Sequence, residues 1–256
     1  MSRVPLLPDF PRPLVFAHRG CSSLAPENTM ASFRLAREYG APGLELDIHR
    51  CASGELVVIH DANFLRTTGV DLRVEDATYE RIKELDAGKG ERIPLLSDVL
   101  DEFSDALYID IELKTKKTNN DPLPEAFAHL LHDRVQSSKG VERRIVVSSF
   151  NPLALATFKR AAPEYATAVI WSDDGELPFY LRSGQGRWLS SCDYLKPIKK
   201  KATLFSLAFL SRLGGRPLVP WVVDDPAEAR RLISIGCEGI ITNRPQDIVP
   251  ALRNKS

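Results

Sequence analysis

The sequence has no apolar run near the ~20 residues that a membrane-spanning helix needs. Its most lipid-like stretch, LFSLAFLSRLGG at Leu204–Gly215, is too short and reads as an amphipathic helix laid on a core. Neither charge is in excess: 34 Lys and Arg balance 34 Asp and Glu, which argues against a general nucleic-acid binder. Cysteine is scarce, and Cys21, Cys51, Cys192 and Cys237 form no CxxC pair, so zinc-site spacing is missing. Four scattered thiols fit a reducing compartment, and the expected location is cytoplasmic. The first twenty residues carry several prolines and no apolar core, unlike a signal peptide. There is no tandem repeat and no low-complexity tract.

What is present is a 256-residue chain, 43% hydrophobic, in which short β-rich runs alternate with helical patterns. The predicted barrel strands lie in PLVFAH, GLELDIHR, ALYIDIELK, RIVVSSF, ATAVIW, SSCDYLK, RPLVPWVVD and EGIIT. The predicted helices are Asn28–Tyr39, Pro94–Phe103 (started by Pro94 or capped by Ser97), Leu123–Gln136, Pro152–Pro163, Leu204–Leu213, Pro226–Gly236 and Arg244–Arg253. ELVVIH is a further extended run after a hairpin-like turn. A polar stretch from Asp61 to about Arg92, with a short helix near Tyr79–Leu85, interrupts the alternation. Gly184 and Gly186 blur the boundaries between Asp173 and Ser191. Eight strand–helix units of this length imply a single (β/α)₈ TIM-barrel domain over 1–256, an α/β fold with a small inserted subdomain at about 62–106.

In such barrels the reactive side chains stand at the C-terminal ends of the strands, and the polar residues here fall there. His18 and Arg19 follow the first strand, and Glu45 and Asp47 share one face of the second. His60 and Asp61 close the extended run after it, and Glu112 and Lys114 end the third barrel strand. Ser149, Phe150, Trp221, Thr242 and Asn243 lie at later strand ends. Taken singly, each has a plain structural reading: a hydrogen-bonded histidine, a solvated edge, a surface ion pair. Taken together, three carboxylates on one face repel one another and stay ionised only around a cation. Oxygen ligands select a hard ion, Mg²⁺ or Ca²⁺. Arg19 and Lys114 add positive charge suited to phosphoryl oxygens, and two histidines can divide acid–base work.

The ordered set HRG, PENT, ELD, HD followed by LRTTG, IPLLSDVL, ELK, SSF, WVVD and ITNRP resembles the glycerophosphodiester phosphodiesterases, from about Phe16 to Pro245. The resemblance implies a barrel with a small subdomain after HD. It implies His18 and His60 as the acid–base pair, Glu45, Asp47 and Glu112 as metal ligands, and Arg19 and Lys114 as phosphate-holding residues. Phe150 and Trp221 would line the pocket. Glu27 and Asn28 would fix the loop around His18, and Asp61 would orient local backbone or metal water. The implied reaction is metal-dependent hydrolysis of a small-molecule glycerophosphodiester to sn-glycerol 3-phosphate and an alcohol. The alternative is a lysophospholipase D acting with the same site. A non-catalytic phosphate binder would lack one histidine or carboxylate, and none is missing.

Three features depart from the family pattern. Asp224 stands where asparagine is common, RCASGE replaces a TKDG-like turn, and His49 continues the inward face of Glu45 and Asp47. His49 is expected to be a hydrogen-bonded residue behind the site. Lys199–Lys201 is expected to be a solvated loop, and His129 and His132 have no carboxylates beside them to complete a metal site.

Overall fold

The computed structural model describes residues 7, 9–115, 121–135, 144–173 and 177–253; residues 1–6, and Gln136 at the predicted end of one helix, lie outside them. Strands β1 (Leu14–His18), β2 (Gly43–Arg50), β4 (Tyr108–Leu113), β5 (Ile145–Ser149), β6 (Ala166–Trp171), β7 (Tyr194–Pro197) and β8 (Gly239–Thr242) form one curled parallel sheet, ordered β7-β6-β5-β4-β2-β1-β8. Strand β3 (Leu56–Val58) turns back antiparallel onto β2.

The edges β7 and β8 are bridged by Pro217–Val223. Val219 and Trp221 donate from their backbone N–H groups to Leu195 and Pro197, while Ile241 donates to Pro220 and Glu238 to Leu218. This is the seventh predicted barrel strand. It forms bridges rather than a regular ladder because Pro217 and Pro220 have no N–H to donate. The result is a (β/α)₈ barrel.

Around it run helices α1 (Met30–Glu38), α2 (Leu65–Thr68), α3 (Tyr79–Ile82), α4 (Leu96–Phe103), α5 (Leu123–Val135), α6 (Pro152–Ala161), α7 (Gly186–Ser190), α8 (Leu204–Ser206, continued by a wider-wound π turn to Leu213), α9 (Pro226–Ser234) and α10 (Pro245–Arg253). Thr29 of PENT starts α1: its hydroxyl accepts from the Ser32 N–H, and Ser32 Oγ accepts in return from the Thr29 N–H. Asn151 and Asp225 cap α6 and α9, each ahead of a proline at the first helical position. Neither Pro94 nor Ser97 caps α4. Val58 donates to the Pro94 carbonyl and pins that segment to β3, so the helix begins later, at Leu96, and Ser97 lies inside it. The main core lies between the strands and helices and takes in Leu96, Val99, Leu100 and Phe103 of α4. A second cluster, with Phe64, Val74, Ile82, Leu85 and Ile93 packed on Val57 and Ile59, gives the segment after His60 its own small core.

Inside the barrel, period-two alternation builds layers. Phe16, Tyr108, Val146, Ala168, Tyr194, Val219 and Ile241 close the floor. Tyr108 leans across Gly43, where a Cβ would sit 1.8 Å from its ring. Its hydroxyl accepts from the Val15 N–H (2.7 Å) and donates to the Val15 carbonyl (3.1 Å). Two residues further along the same strands come Glu45, Asp110, Ser148 and Lys196, and two further again Asp47 and Glu112.

Candidate active site

Carboxylate oxygens of Glu45, Asp47 and Glu112 lie within 4.8 Å of one another, and all three residues are buried. Burial, then the charges of Asp47 and Glu112, push the Glu45 carboxyl well above the ordinary carboxylate range. Burial also opposes ionisation of Asp47, but Lys114, Arg19 and His60 outweigh it and hold its carboxyl below the ordinary range. Lys114 Nζ lies 2.5 Å from Glu112 Oε1 and 3.0 Å from Asp47 Oδ1; Arg19 Nε lies 3.2 Å from Asp47 Oδ2. Asp47 Oδ1 is buried without an aligned hydrogen bond. Three hard oxygen donors whose mutual repulsion raises one pKa, with a lone pair unmatched, fit a divalent cation.

The two predicted histidines approach from opposite sides. His18 ends β1, and its Nδ1 lies 2.6 Å from Asn243 Oδ1. Asn243 donates through Nδ2 to Asp224 Oδ2 (2.8 Å), and Asp224 Oδ1 accepts from the Asn243 N–H (2.8 Å). Those contacts fix the Asn243 amide with its oxygen toward His18, so Nδ1 carries the proton and Nε2 the lone pair. Nε2 stands 3.9 Å from Glu45 Oε2. Burial, then the Arg19 charge, lowers the His18 pKa to about 4, so the ring is neutral at neutral pH. Asp224, the departure from the family pattern, thus orients His18 through Asn243.

His60 donates from Nδ1 to Asp61 Oδ1 at 2.6 Å, which leaves Nε2 to exchange protons. Asp61 also accepts from Arg66 Nε (2.5 Å), and Arg66 reaches across to Glu27 (2.6 and 3.1 Å). Glu27 in turn accepts from Arg19 (3.0 Å). A chain of charge-assisted contacts therefore runs His60–Asp61–Arg66–Glu27–Arg19–Asp47 and ties the inserted segment to the PENT loop. Asn28 donates to Asp47 Oδ2 at 2.9 Å. It holds a left-handed backbone (φ 57°), as does Arg19 (φ 54°), a costly conformation for side-chain-bearing residues that is common where a site must be pre-set. Gly20 follows at φ 81°, where a Cβ would lie 2.4 Å from Ser32 Oγ.

His18, Arg19, Glu45, His60, Asp61, Glu112, Lys114, Phe150 and Trp221 line one cleft of about 1230 Å³. Asp47, Glu27 and Asn28 stand behind that lining and brace it. Phe150 and Trp221 meet edge to face at 5.6 Å. Ser149 is buried and donates to the Leu113 carbonyl, and Thr242 donates to Asp224. His49 does not join the carboxylates: its Nε2 donates to the His60 carbonyl at 3.1 Å and braces that strand end. His132 pairs with Glu164 on the outer surface, away from the cleft.

Residue patterns alone missed three members of this region. Lys196 is buried beneath the carboxylates, 2.9 Å from Asp110 Oδ2, and donates to Ser148 Oγ at 2.9 Å. Burial would discharge it, but Asp110, then Glu45 and Glu112, keep its pKa raised. An inward-facing Asp110 two residues before Glu112 was the available signal. Arg66 lay within the LRTTG motif, but nothing local names Glu27, 39 positions away, as its partner.

A sequence profile of the glycerophosphoryl diester phosphodiesterase family matches residues 18–247. The chain is 33% identical over 248 residues to a glycerophosphodiester phosphodiesterase of Caldanaerobacter subterraneus, covering 94% of this chain and 98% of that protein. A glycerophosphodiester phosphodiesterase of Bacillus altitudinis is 30% identical, with 92% and 96% covered. Among solved structures, an Oleispira antarctica phosphodiesterase in complex with the product sn-glycerol-3-phosphate superposes with a TM-score of 0.80 at 26% identity, over 94% of this chain and 97% of that one.

Proposed function

The chain belongs to the glycerophosphoryl diester phosphodiesterase family, and from that premise we propose that it hydrolyses deacylated glycerophosphodiesters to sn-glycerol 3-phosphate and an alcohol. It is an enzyme, a phosphodiesterase on a TIM barrel. The observation that carries the finer reading is the meeting of two oriented imidazoles, three carboxylates, Arg19 and Lys114 on one cleft. The names of the matched relatives favour this substrate class over lysophospholipids. Mg²⁺ or Ca²⁺ suits the all-oxygen donor set of Glu45, Asp47 and Glu112. When bound there, the ion supplies positive charge to the phosphoryl oxygens.

The chain's own groups do the rest. Arg19 and Lys114 hold the phosphate and balance charge on its oxygens. His18, neutral with its lone pair on Nε2, accepts the proton of the attacking hydroxyl. His60, backed by Asp61, donates a proton through Nε2 to the departing alkoxide nearer the cleft mouth. Phe150 and Trp221 form an apolar wall against the headgroup or glycerol. The attacking hydroxyl is the glycerol 2-hydroxyl, with a cyclic phosphate then opened by water, or water itself. Four unpaired thiols support a reducing compartment such as the cytoplasm, and no helix among the described residues is long and apolar enough to cross a membrane.

The test is release of sn-glycerol 3-phosphate from glycerophosphocholine, glycerophosphoethanolamine, glycerophosphoinositol and glycerophosphoglycerol, with lysophosphatidylcholine as the competing substrate. Turnover of at least one of the first four, faster than of the lysolipid, is expected. Exclusive turnover of the lysolipid would overturn the substrate reading. An analogue lacking the 2-hydroxyl separates the nucleophiles: it is inert if that hydroxyl attacks and is hydrolysed if water does.

A further inference from the structure

Large apolar side chains are exposed in a cluster along two connected stretches of the chain. Phe179 (81% exposed) and Tyr180 lie in the turn after β6; Leu204, Phe205 (74%) and Phe209 lie in the helix after β7. The helix was expected to lie on the core, yet only one side does so. Leu207 and Ser211 are buried, while Phe205 and Phe209 stack on each other in solvent at 5.4 Å. The two stretches are bound together: Lys201 donates from Nζ to the Arg182 carbonyl (2.6 Å), and Ser206 Oγ donates to the Lys201 carbonyl (2.8 Å). They are continuous with the cleft rim. Leu177, two residues before Phe179, lines the cleft, and Lys199 donates from its backbone to the carbonyl of Trp221, another lining residue.

The charges beside these side chains have one prevailing sign. Lys199, Lys200, Lys201 and Arg182 outnumber the nearby carboxylates Asp173, which pairs with Lys200 and Lys201, and Glu228. Aromatic rings that project beyond a basic collar are the pattern of a surface that enters a lipid headgroup layer. We propose that this rim docks the enzyme, cleft downward, on an anionic phospholipid surface. The rings seat among the headgroups, and the cations answer the negative surface potential. A second copy of the chain fits less well. A two-fold contact through this patch would set the same cations against themselves. The docking stands apart from the choice of headgroup, since it concerns where the enzyme sits and not what it cleaves.

Cosedimentation with phosphatidylcholine vesicles, with and without phosphatidylglycerol, tests it. The wild-type chain should bind the anionic vesicles, and added salt should weaken binding. Phe205→Ser/Phe209→Ser and, separately, Phe179→Ser should lower partitioning about tenfold or more. Lys199→Gln/Lys200→Gln should abolish the preference for phosphatidylglycerol. Each variant should keep wild-type turnover of a water-soluble glycerophosphodiester, which also certifies its fold. Wild-type protein left in the supernatant, or binding that none of these changes reduces, would overturn the proposal. So would a dimer in sedimentation velocity that Phe205→Ser/Phe209→Ser dissociates, with no vesicle binding.

Discussion

On the barrel floor Tyr108 meets Phe16 edge to face at 4.8 Å, and Phe10 covers Tyr108 from below at 4.9 Å. Two and four residues along the same strand, Asp110 and Glu112 stand among Lys196, Glu45, Asp47 and Lys114. One strand thus supplies a dry, uncharged plug and then a crowded array of buried charge. At the floor every polar atom named is answered within the fold, as Tyr108 shows with Val15. At the rim the groups hold one another in unfavourable company: Glu45 is raised in pKa, and Asp47 Oδ1 lacks an aligned donor. Stability and chemistry occupy opposite ends of one scaffold, with the Lys196–Asp110 pair between them.

If that division is right, changes at the two ends separate rate from stability. The largest effect belongs to the rim. His18→Ala or His60→Ala should lower kcat by about 10²–10⁴ while the melting temperature stays close to wild type. Full activity in either variant would remove that histidine from the acid–base role. The middle layer comes next. Lys196→Met leaves Asp110 buried and unpaired and should cost about 3–5 kcal/mol in denaturant unfolding. Lys196→Met/Asp110→Asn should recover most of that loss, and equal destabilisation in both would place the cost in packing instead.

The floor responds more gently. Tyr108→Phe leaves the Val15 amide and carbonyl unanswered and should cost about 1–3 kcal/mol, with kcat unchanged. A fall in kcat larger than the fall in stability would break the separation of the two ends. The smallest effect is alkaline. Cys237 lies just before β8 at the floor, and burial pushes its thiol up from 9.0 to about 12. The unfolded chain releases that proton first, so the stability this thiol contributes is complete below pH 9 and declines as pH rises toward 12. Cys237→Ala should flatten the decline of stability above pH 9, and parallel curves would show that the thiol contributes nothing.

Much of this was legible because strands repeat every two residues. Glu45 with Asp47, and Glu112 two positions after Asp110, announce an inward charged face without any tertiary knowledge. His18 and His60 were legible as strand-end residues inside an ordered set of motifs. The partners that orient them were less so. Asp224 reaches His18 only through Asn243, and Arg66 joins Glu27 across 39 residues, contacts that only the closed barrel creates. Pro217 and Pro220 read as strand residues by hydrophobicity but cannot donate to a ladder. The segment at Leu204–Leu213 read as a core helix because apolar spacing does not say which side of a helix is left uncovered.

The most direct measurement is phosphodiester hydrolysis by chelator-treated protein, followed by return of Mg²⁺ or Ca²⁺ to the wild type and to Glu45→Ala, Asp47→Ala and Glu112→Ala. The account expects activity to vanish on chelation and to return with metal in the wild type, with the three variants needing more metal for a partial return. Undiminished turnover in chelator, or variants that respond to metal as the wild type does, would contradict it.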